Sequence, residues 1–154
     1  MRPVEGMGKK LVIVRTGLVF ANQGGAFPEF VKPMKYGMAA ILGSGRQVVS
    51  WIHLDDIVRV YLEAIENKNF NGVYNAVSRD SISNKQLTLK IARARKKPFV
   101  SMHVPAFALK LLFGEVSVEV LKSTTVDGSK LRDSGFNLIY PTVDSALNDL
   151  ISVR

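Results

Sequence analysis

Cysteine is absent from the chain, and histidine occurs only twice. The lack of cysteine excludes a disulfide framework, a thiolate metal site and a cysteine nucleophile, and it agrees with a reducing compartment. The two histidines form no His-x-x-x-His pair, so the ligands of a dedicated zinc site are missing. His53 with Asp55 and Asp56 could bind a metal in principle. We expect no bound metal, however, and interpret His53 as the end of a strand, followed by a helix-capping pair, Asp55 and Asp56.

Long apolar runs are missing as well. No stretch approaches the roughly 18 residues that a membrane-spanning helix needs, and the first ten residues have no apolar core of the signal-peptide type. We therefore expect a cytoplasmic protein without a membrane partner.

The common nucleotide-binding and hydrolase motifs are not found. There is no Gly-Lys-Ser/Thr sequence and no Gly-x-Ser-x-Gly elbow. Gly43-Ser44-Gly45 is followed by Val48 where a dinucleotide fingerprint has its third glycine, so we interpret this segment as a tight turn.

What the chain does have is a globular composition with excess positive charge. Its 154 residues are 47% hydrophobic and 22% charged, which suits one folded domain. The 21 basic and 13 acidic residues give a net charge of +8, so anionic partners must be considered. The most basic stretch, residues 93–97, could contact nucleic acid, but we interpret it as the solvated end of a helix.

Hydrophobic periodicity predicts alternating strands and helices. Residues 10–14 form a short β-branched run that predicts a strand buried on both faces, and residues 48–54 and 72–77 predict two more. The strand, helix and strand between 48 and 77 are typical of a parallel crossover unit. The predicted helices are residues 27–38, the segment from Asp55, the segment from the Ser83/Gln86 capping box to about Arg95, residues 107–113, residues 127–134, and a last helix capped by Thr142.

Several short motifs follow one another in a specific order along nearly the whole chain. They are Val14–Val19, Gln23–Ala26, Leu42–Gln47, Trp51–Asp56, Gly72–Asn75, Val104–Leu109, Leu112–Glu115, Gly135–Phe136 and Tyr140–Thr142. In this order they resemble the C-terminal half of an epimerase-like family of extended short-chain dehydrogenases/reductases. Its members are commonly regarded as sugar-nucleotide epimerases and carry a C-terminal domain of unknown function.

The resemblance implies an α/β fold in two parts. Residues 1–82 would be the last strands and helices of an NAD(P)-binding Rossmann-type half, together with a substrate-loop motif. Residues 83–154 would form a small, mostly helical substrate-side domain. The run at residues 10–14 would then be the sixth strand of the Rossmann sheet, next to the nicotinamide end of the cofactor.

The resemblance also assigns site residues. Arg15, Thr16 and Gly17 would contact the nucleotide cofactor, because ligands of open α/β sheets lie beyond the carboxyl ends of the strands. A structural arginine paired with a local carboxylate is the alternative for Arg15. Arg46, Gln47, Trp51 and His53 would lie on the substrate side. Related epimerases carry arginine and aspartate just before the aromatic residue, where this chain has Val49 and Ser50, so the nucleotide-sugar assignment is weakened.

Two parts that such enzymes require are missing. One is the glycine-rich phosphate loop, and the other is a Tyr-x-x-x-Lys pair for proton transfer. The tyrosines are at positions 36, 61, 74 and 140, and none has lysine four residues later. We therefore expect no catalytic residue here and a fragment that is inactive alone, with an unidentified small-molecule substrate. The alternatives are an interaction or homodimerisation module and, third, a nucleic-acid-binding surface.

Overall fold

A computed structural model describes residues 10–105, 123 and 125–152 of the chain. Strands and helices alternate through most of this range. The strands are β1 (Val12–Thr16), β2 (Leu18–Ala21), β3 (Gly24–Gly25), β4 (Met38–Leu42), β5 (Val48–Val49), β6 (Trp51–His53), β7 (Gly72–Ala76), β8 (Ile82–Ser83) and β9 (Val100–Val104). The helices are α1 (Phe27–Met34), α2 (Leu54–Glu66), α3 (Asn84–Ala94), α4 (Ser129–Asp133) and α5 (Val143–Ser152). The helix predicted at residues 107–113 lies outside the described residues.

Parallel pairing joins the main strands. β1 pairs with β7, β2 pairs with β6, and β4 pairs with β9, all in parallel. The short strands β3 and β8 add antiparallel pairs with β2 and β5. Because α2 connects β6 to β7, and these two strands pair with the consecutive strands β2 and β1, the predicted crossover is confirmed.

Two strand predictions need correction. The prediction that the first strand is buried on both faces is wrong for the described residues, since Ile13 is 44% exposed. Within the described residues β1 has one neighbouring strand, β7, and the core contacts that it makes come from Val12 and Val14. The strand predicted at 48–54 is interrupted at Ser50, because the chain there changes its partner from β8 to β2.

Two hydrophobic clusters hold the elements together. One gathers buried side chains from α1, α3, α5 and the strands β2, β4, β5 and β6, around the fully buried Trp51. The other packs α2 and α4 against the inner face of β1 and β7, and includes Ile52, Val60 and Tyr74. Since Trp51 and Ile52 are neighbours on β6, that strand contributes to both clusters.

The predicted helix caps at Ser83 and Thr142 are confirmed. The Ser83 hydroxyl accepts a hydrogen bond from the Gln86 N–H, and the Gln86 side chain accepts one from the Ser83 N–H. The Thr142 hydroxyl accepts the Ser145 N–H ahead of α5. Residues 136–140, between α4 and α5, form no strand.

Candidate functional site

The carboxyl edge of β1 and β7 carries the predicted cofactor residues. Arg15 and Thr16, both exposed, stand opposite Asn75 and Ala76 in the parallel register. The Asn75 side chain donates to the Asp127 carbonyl oxygen over 2.7 Å. Across the described ranges, no hydrogen bond or ion pair holds the Arg15 guanidinium. Its planar donors are therefore free to bind a phosphate or ribose group.

Gly17 occupies a crowded position between strands. Its N–H donates to the Ala76 carbonyl oxygen over 3.2 Å. A Cβ at this position would lie 2.6 Å from the Ser50 carbonyl oxygen and 3.0 Å from a Val77 methyl carbon. The close approach of the backbones explains the glycine, and its N–H is already used within the fold.

The four predicted substrate-side residues do not share one open cleft. Gln47 is buried, and its side-chain amide donates to the Leu42 carbonyl oxygen over 2.9 Å. Trp51 stacks on Phe20 with 5.0 Å between ring centroids, and its Nε1 donates to the Asp80 carbonyl oxygen. These contacts give both residues structural roles in the interior.

Arg46 is the exposed member of the four. It lines an open depression of about 680 Å³ together with Ser44, Gly45, Ser83, Lys85 and Gln86. The depression lies where the turn after β4 meets the start of α3, since the Lys85 N–H donates to the Gly45 carbonyl oxygen. Two cations beside this depression make it suitable for an anionic group.

His53 is 3% exposed and lies at the carboxyl end of β6. Its Nδ1 accepts the Asp55 N–H over 3.2 Å, so the neutral ring carries its proton on Nε2. Nε2 lies 3.3 Å from the Asp149 carboxylate, outside hydrogen-bond geometry, and the Tyr140 ring centroid is 3.9 Å away. Sequence reasoning did not assign Tyr140 or Asp149 to this site, because they lie far along the chain from His53 and no spacing pattern links them to it.

Tyr140 is perturbed by this environment. Loss of solvation raises the pKa of its hydroxyl above the ordinary 10.0, and a hydrogen bond to Asp149 with the nearby acidic charges raises the pKa further. The tyrosine therefore keeps its proton at neutral pH. It is a hydrogen-bond donor there and is poorly suited to act as a base.

Asp56 has a different role from the one predicted. The expectation that Asp55 and Asp56 cap the helix is wrong, because the His53 side chain is the cap of α2. The fully buried Asp56 carboxylate accepts the Ile139 and Tyr140 N–H groups over 2.7 and 2.9 Å. It thereby fastens the segment before α5 to α2.

Metal ligands do not gather at these positions. Within the described ranges, no group of three or more histidine, aspartate or glutamate side chains could hold a metal ion. The helices among the described residues are also too short or too polar to cross a bilayer.

Comparison with known proteins identifies the fold. The NAD dependent epimerase/dehydratase family matches residues 5–77, and the domain of unknown function DUF1731 matches residues 104–150. Together the two matches indicate part of an epimerase-like protein. The resemblance seen in the sequence is therefore confirmed, as is the α/β fold.

Individual relatives show how much of the family this chain spans. It is 36% identical over 150 residues to an epimerase family protein of Staphylococcus saprophyticus. The aligned region covers 97% of this chain and 50% of the relative. An epimerase family protein of Staphylococcus aureus is 34% identical, with 96% of this chain and 49% of the relative covered. The chain thus spans about half the length of the curated relatives it matches.

Solved structures agree with this assignment. A human epimerase family protein crystallised with NADPH is similar with a TM-score of 0.88 and 25% identity, covering 94% of this chain and 49% of that chain. A UDP-N-acetylglucosamine 4-epimerase from Bacillus cereus has the same fold, with a TM-score of 0.74 at 14% identity, over 97% of this chain and 48% of that one.

Proposed function

We propose that this chain is the C-terminal, substrate-side portion of an NAD(P)-dependent epimerase-like oxidoreductase and does not turn over substrate alone. The observation that carries the proposal is the carboxyl edge of β1, where Arg15 stands exposed and unpartnered among the described residues. The match to a human relative crystallised with NADPH supports a nicotinamide nucleotide as the ligand of the complete protein.

The inactivity follows from what the residues provide. Hydride transfer needs a held cofactor and a placed acid–base group. The chain has no Tyr-x-x-x-Lys pair, and Tyr140 has a raised pKa that disfavours a catalytic tyrosinate. Tight cofactor binding and turnover would therefore require the part of the family protein that this chain does not span.

We assign residues 1–82 to the cofactor-side part and residues 83–154 to the substrate-side domain. In this arrangement Arg15 and Thr16 contact the nucleotide. Arg46, beside Lys85, provides charge for an anionic substrate group, while Gln47, Trp51 and His53 support the loop from the interior. The absence of cysteine supports a cytoplasmic location.

Cofactor titration tests the proposal. The purified chain should show no saturable binding of NADPH or NADP⁺ at micromolar concentrations, measured by nucleotide fluorescence or calorimetry. A fusion that adds the portion of the Staphylococcus saprophyticus relative not covered by this chain should bind NADPH. In the fusion, Arg15→Ala should weaken binding by about tenfold, while Lys68→Ala, at the exposed turn after α2, should not.

Either of two results would contradict this assignment. Micromolar NADPH binding, or cofactor-dependent turnover, by the chain alone would show that it is complete for the chemistry. Unchanged binding in the Arg15→Ala fusion would remove Arg15 from the cofactor site.

A second candidate is an interaction or dimerisation module. The outer face of the β1–β7 pair supports it, because Ile13 and Val73 stand side by side there and both are exposed. Light scattering on the chain and on an Ile13→Thr/Val73→Thr variant tests this candidate. A concentration-dependent dimer that the variant loses is expected, and a monomer at all concentrations would reject it.

A further inference from the structure

One face of the β4–β9 sheet is apolar and open. The parallel register places Met38 opposite Val100 and Ala40 opposite Met102, and paired residues share a face of a sheet. The other side of β4 carries Ala39 and Ile41, which are buried against the helices. On the open face Val100 is 70% exposed, and Met38 and Met102 are exposed as well.

Positive charge and an aromatic side chain border this face. The loops that follow α1 and α3 meet at the start of β4 and β9, where the Val100 N–H donates to the Gly37 carbonyl oxygen over 2.8 Å. Tyr36, which is 81% exposed, and Lys35 precede Gly37. On the other loop, exposed Lys96 and Lys97 stand just before Pro98.

The charge of this border is uncompensated. No acidic residue stands between Asp80 and Glu115 in the sequence. Within the described part of the chain, no carboxylate pairs with Lys35, Lys96 or Lys97; the nearby Lys32 alone is paired, with Glu29. The loops at one end of the open apolar face thus carry lysines that pair with no carboxylate among the described residues.

We propose that this surface, formed by Lys35, Tyr36, Met38, Lys96, Lys97, Val100 and Met102, docks on an anionic lipid bilayer. Lysines attract acidic headgroups, and their aliphatic stems and a tyrosine ring suit the boundary between headgroups and acyl chains. The exposed valine and methionine side chains would enter the apolar edge of the bilayer. The proposal is independent of cofactor binding.

The alternative polyanion, single-stranded nucleic acid, fits the surface less well. Binding of that kind uses several aromatic rings on which successive bases stack. Tyr36 is the one exposed aromatic side chain among the described residues here, and its neighbours on the face are aliphatic. The expectation of no membrane partner rested on the lack of long apolar runs. It did not consider this surface, which joins two segments that lie far apart along the chain.

Vesicle sedimentation with the full chain tests the proposal. The chain should pellet with vesicles of phosphatidylcholine and phosphatidylserine and remain in solution with phosphatidylcholine alone. Lys96→Glu/Lys97→Glu should weaken the partition coefficient by about tenfold or more, because each lysine contributes to the attraction. The control variant Lys68→Glu reverses the charge of an exposed side chain at the turn after α2. It should leave the partition coefficient nearly unchanged.

A second pair of variants tests the apolar part. Val100→Ser should reduce partitioning severalfold, whereas Ile65→Ser, which changes a side chain that is 77% exposed on α2, should not. Circular dichroism confirms that each variant remains folded. Equal pelleting with neutral vesicles, or an unchanged partition coefficient for both Val100→Ser and the double lysine variant, would overturn the proposal. So would tighter, lysine-dependent binding to a single-stranded oligonucleotide that Val100→Ser leaves intact.

Discussion

Gly17 shows how a single side-chain atom can decide the stability of the sheet. The Gly17→Ala variant should lose about 2 kcal/mol in the free energy of unfolding, because the added Cβ would press on the Ser50 carbonyl oxygen. Gly24→Ala is the matched control, since nothing lies within 4 Å of a Cβ there. Urea denaturation of both variants measures the difference, and equal stability would show that the strands separate at little cost.

Tyr140 should make stability depend on alkaline pH. Its pKa in the folded state lies above the ordinary 10.0, so above that pH the unfolded chain loses the proton first. This contribution to stability is therefore complete below pH 10 and is lost as the pH rises through the folded pKa. Urea midpoints should be measured at a series of pH values up to and beyond about 10. They should fall less steeply with rising pH for the Tyr140→Phe variant than for the parent chain.

The control for this prediction is Tyr36→Phe, which alters a tyrosine on the open surface. Its midpoints should fall with the same slope as those of the parent chain. An identical slope for Tyr140→Phe would mean that the Asp149 hydrogen bond and the loss of solvation do not perturb the phenol.

The sequence allows the exposure of a site residue to be predicted only where its immediate neighbours in the chain determine that exposure. Arg15 follows the apolar run at residues 10–14, and Arg46 follows a glycine turn, so both could be expected at the surface. Both are exposed, although Arg15 is still part of β1. Trp51 and His53 belong to the same motif, but their burial depends on Phe20 and on Tyr140. Such distant contacts leave no spacing signal in the chain.

At the scale of elements, the capping box of α3 gives a direct prediction. Ser83→Ala should destabilise the chain by about 1 kcal/mol, because the Gln86 N–H loses its acceptor at the first turn. Ser81→Ala removes a hydroxyl from an exposed position two residues earlier and should change little. Thermal unfolding measures the melting temperatures of the two variants. Equal melting temperatures would show that the capping box does not contribute to stability.

Helices were easier to predict than strand environments. The caps at Ser83 and Thr142 and the stop at Gly135, whose φ is +85°, are local chemistry, and the corresponding helices α3, α4 and α5 lie where we expected them. The exposure of Ile13 and the break at Ser50 depend on which strands and helices are neighbours. Periodicity within a short run does not contain that information.

At the scale of the whole molecule, the cluster around Trp51 should make unfolding cooperative. Leu147→Ala removes a buried α5 side chain from this cluster and should cost about 3 kcal/mol. Trp51 is the single tryptophan, so its fluorescence reports on this core, while circular dichroism reports on all helices. The two signals should change together in urea, both before and after the substitution.

The control here is Ile65→Ala, which shortens an exposed side chain on α2 and should leave the transition in place. Separate fluorescence and dichroism transitions would mean that the two hydrophobic clusters unfold independently, despite their common strand β6.

The Asp56 carboxylate has a consequence for how this polypeptide is made in the cell. Its two backbone partners, Ile139 and Tyr140, are synthesised long after α2, and α5 follows them. While these residues are still untranslated, the Asp56 carboxylate on α2 has neither of these two hydrogen-bond donors. The hydrophobic cluster around Trp51 also still lacks the side chains of α5. This part of the fold cannot be completed before residues 139–152 are translated, and until then the nascent chain is open to chaperones and proteases.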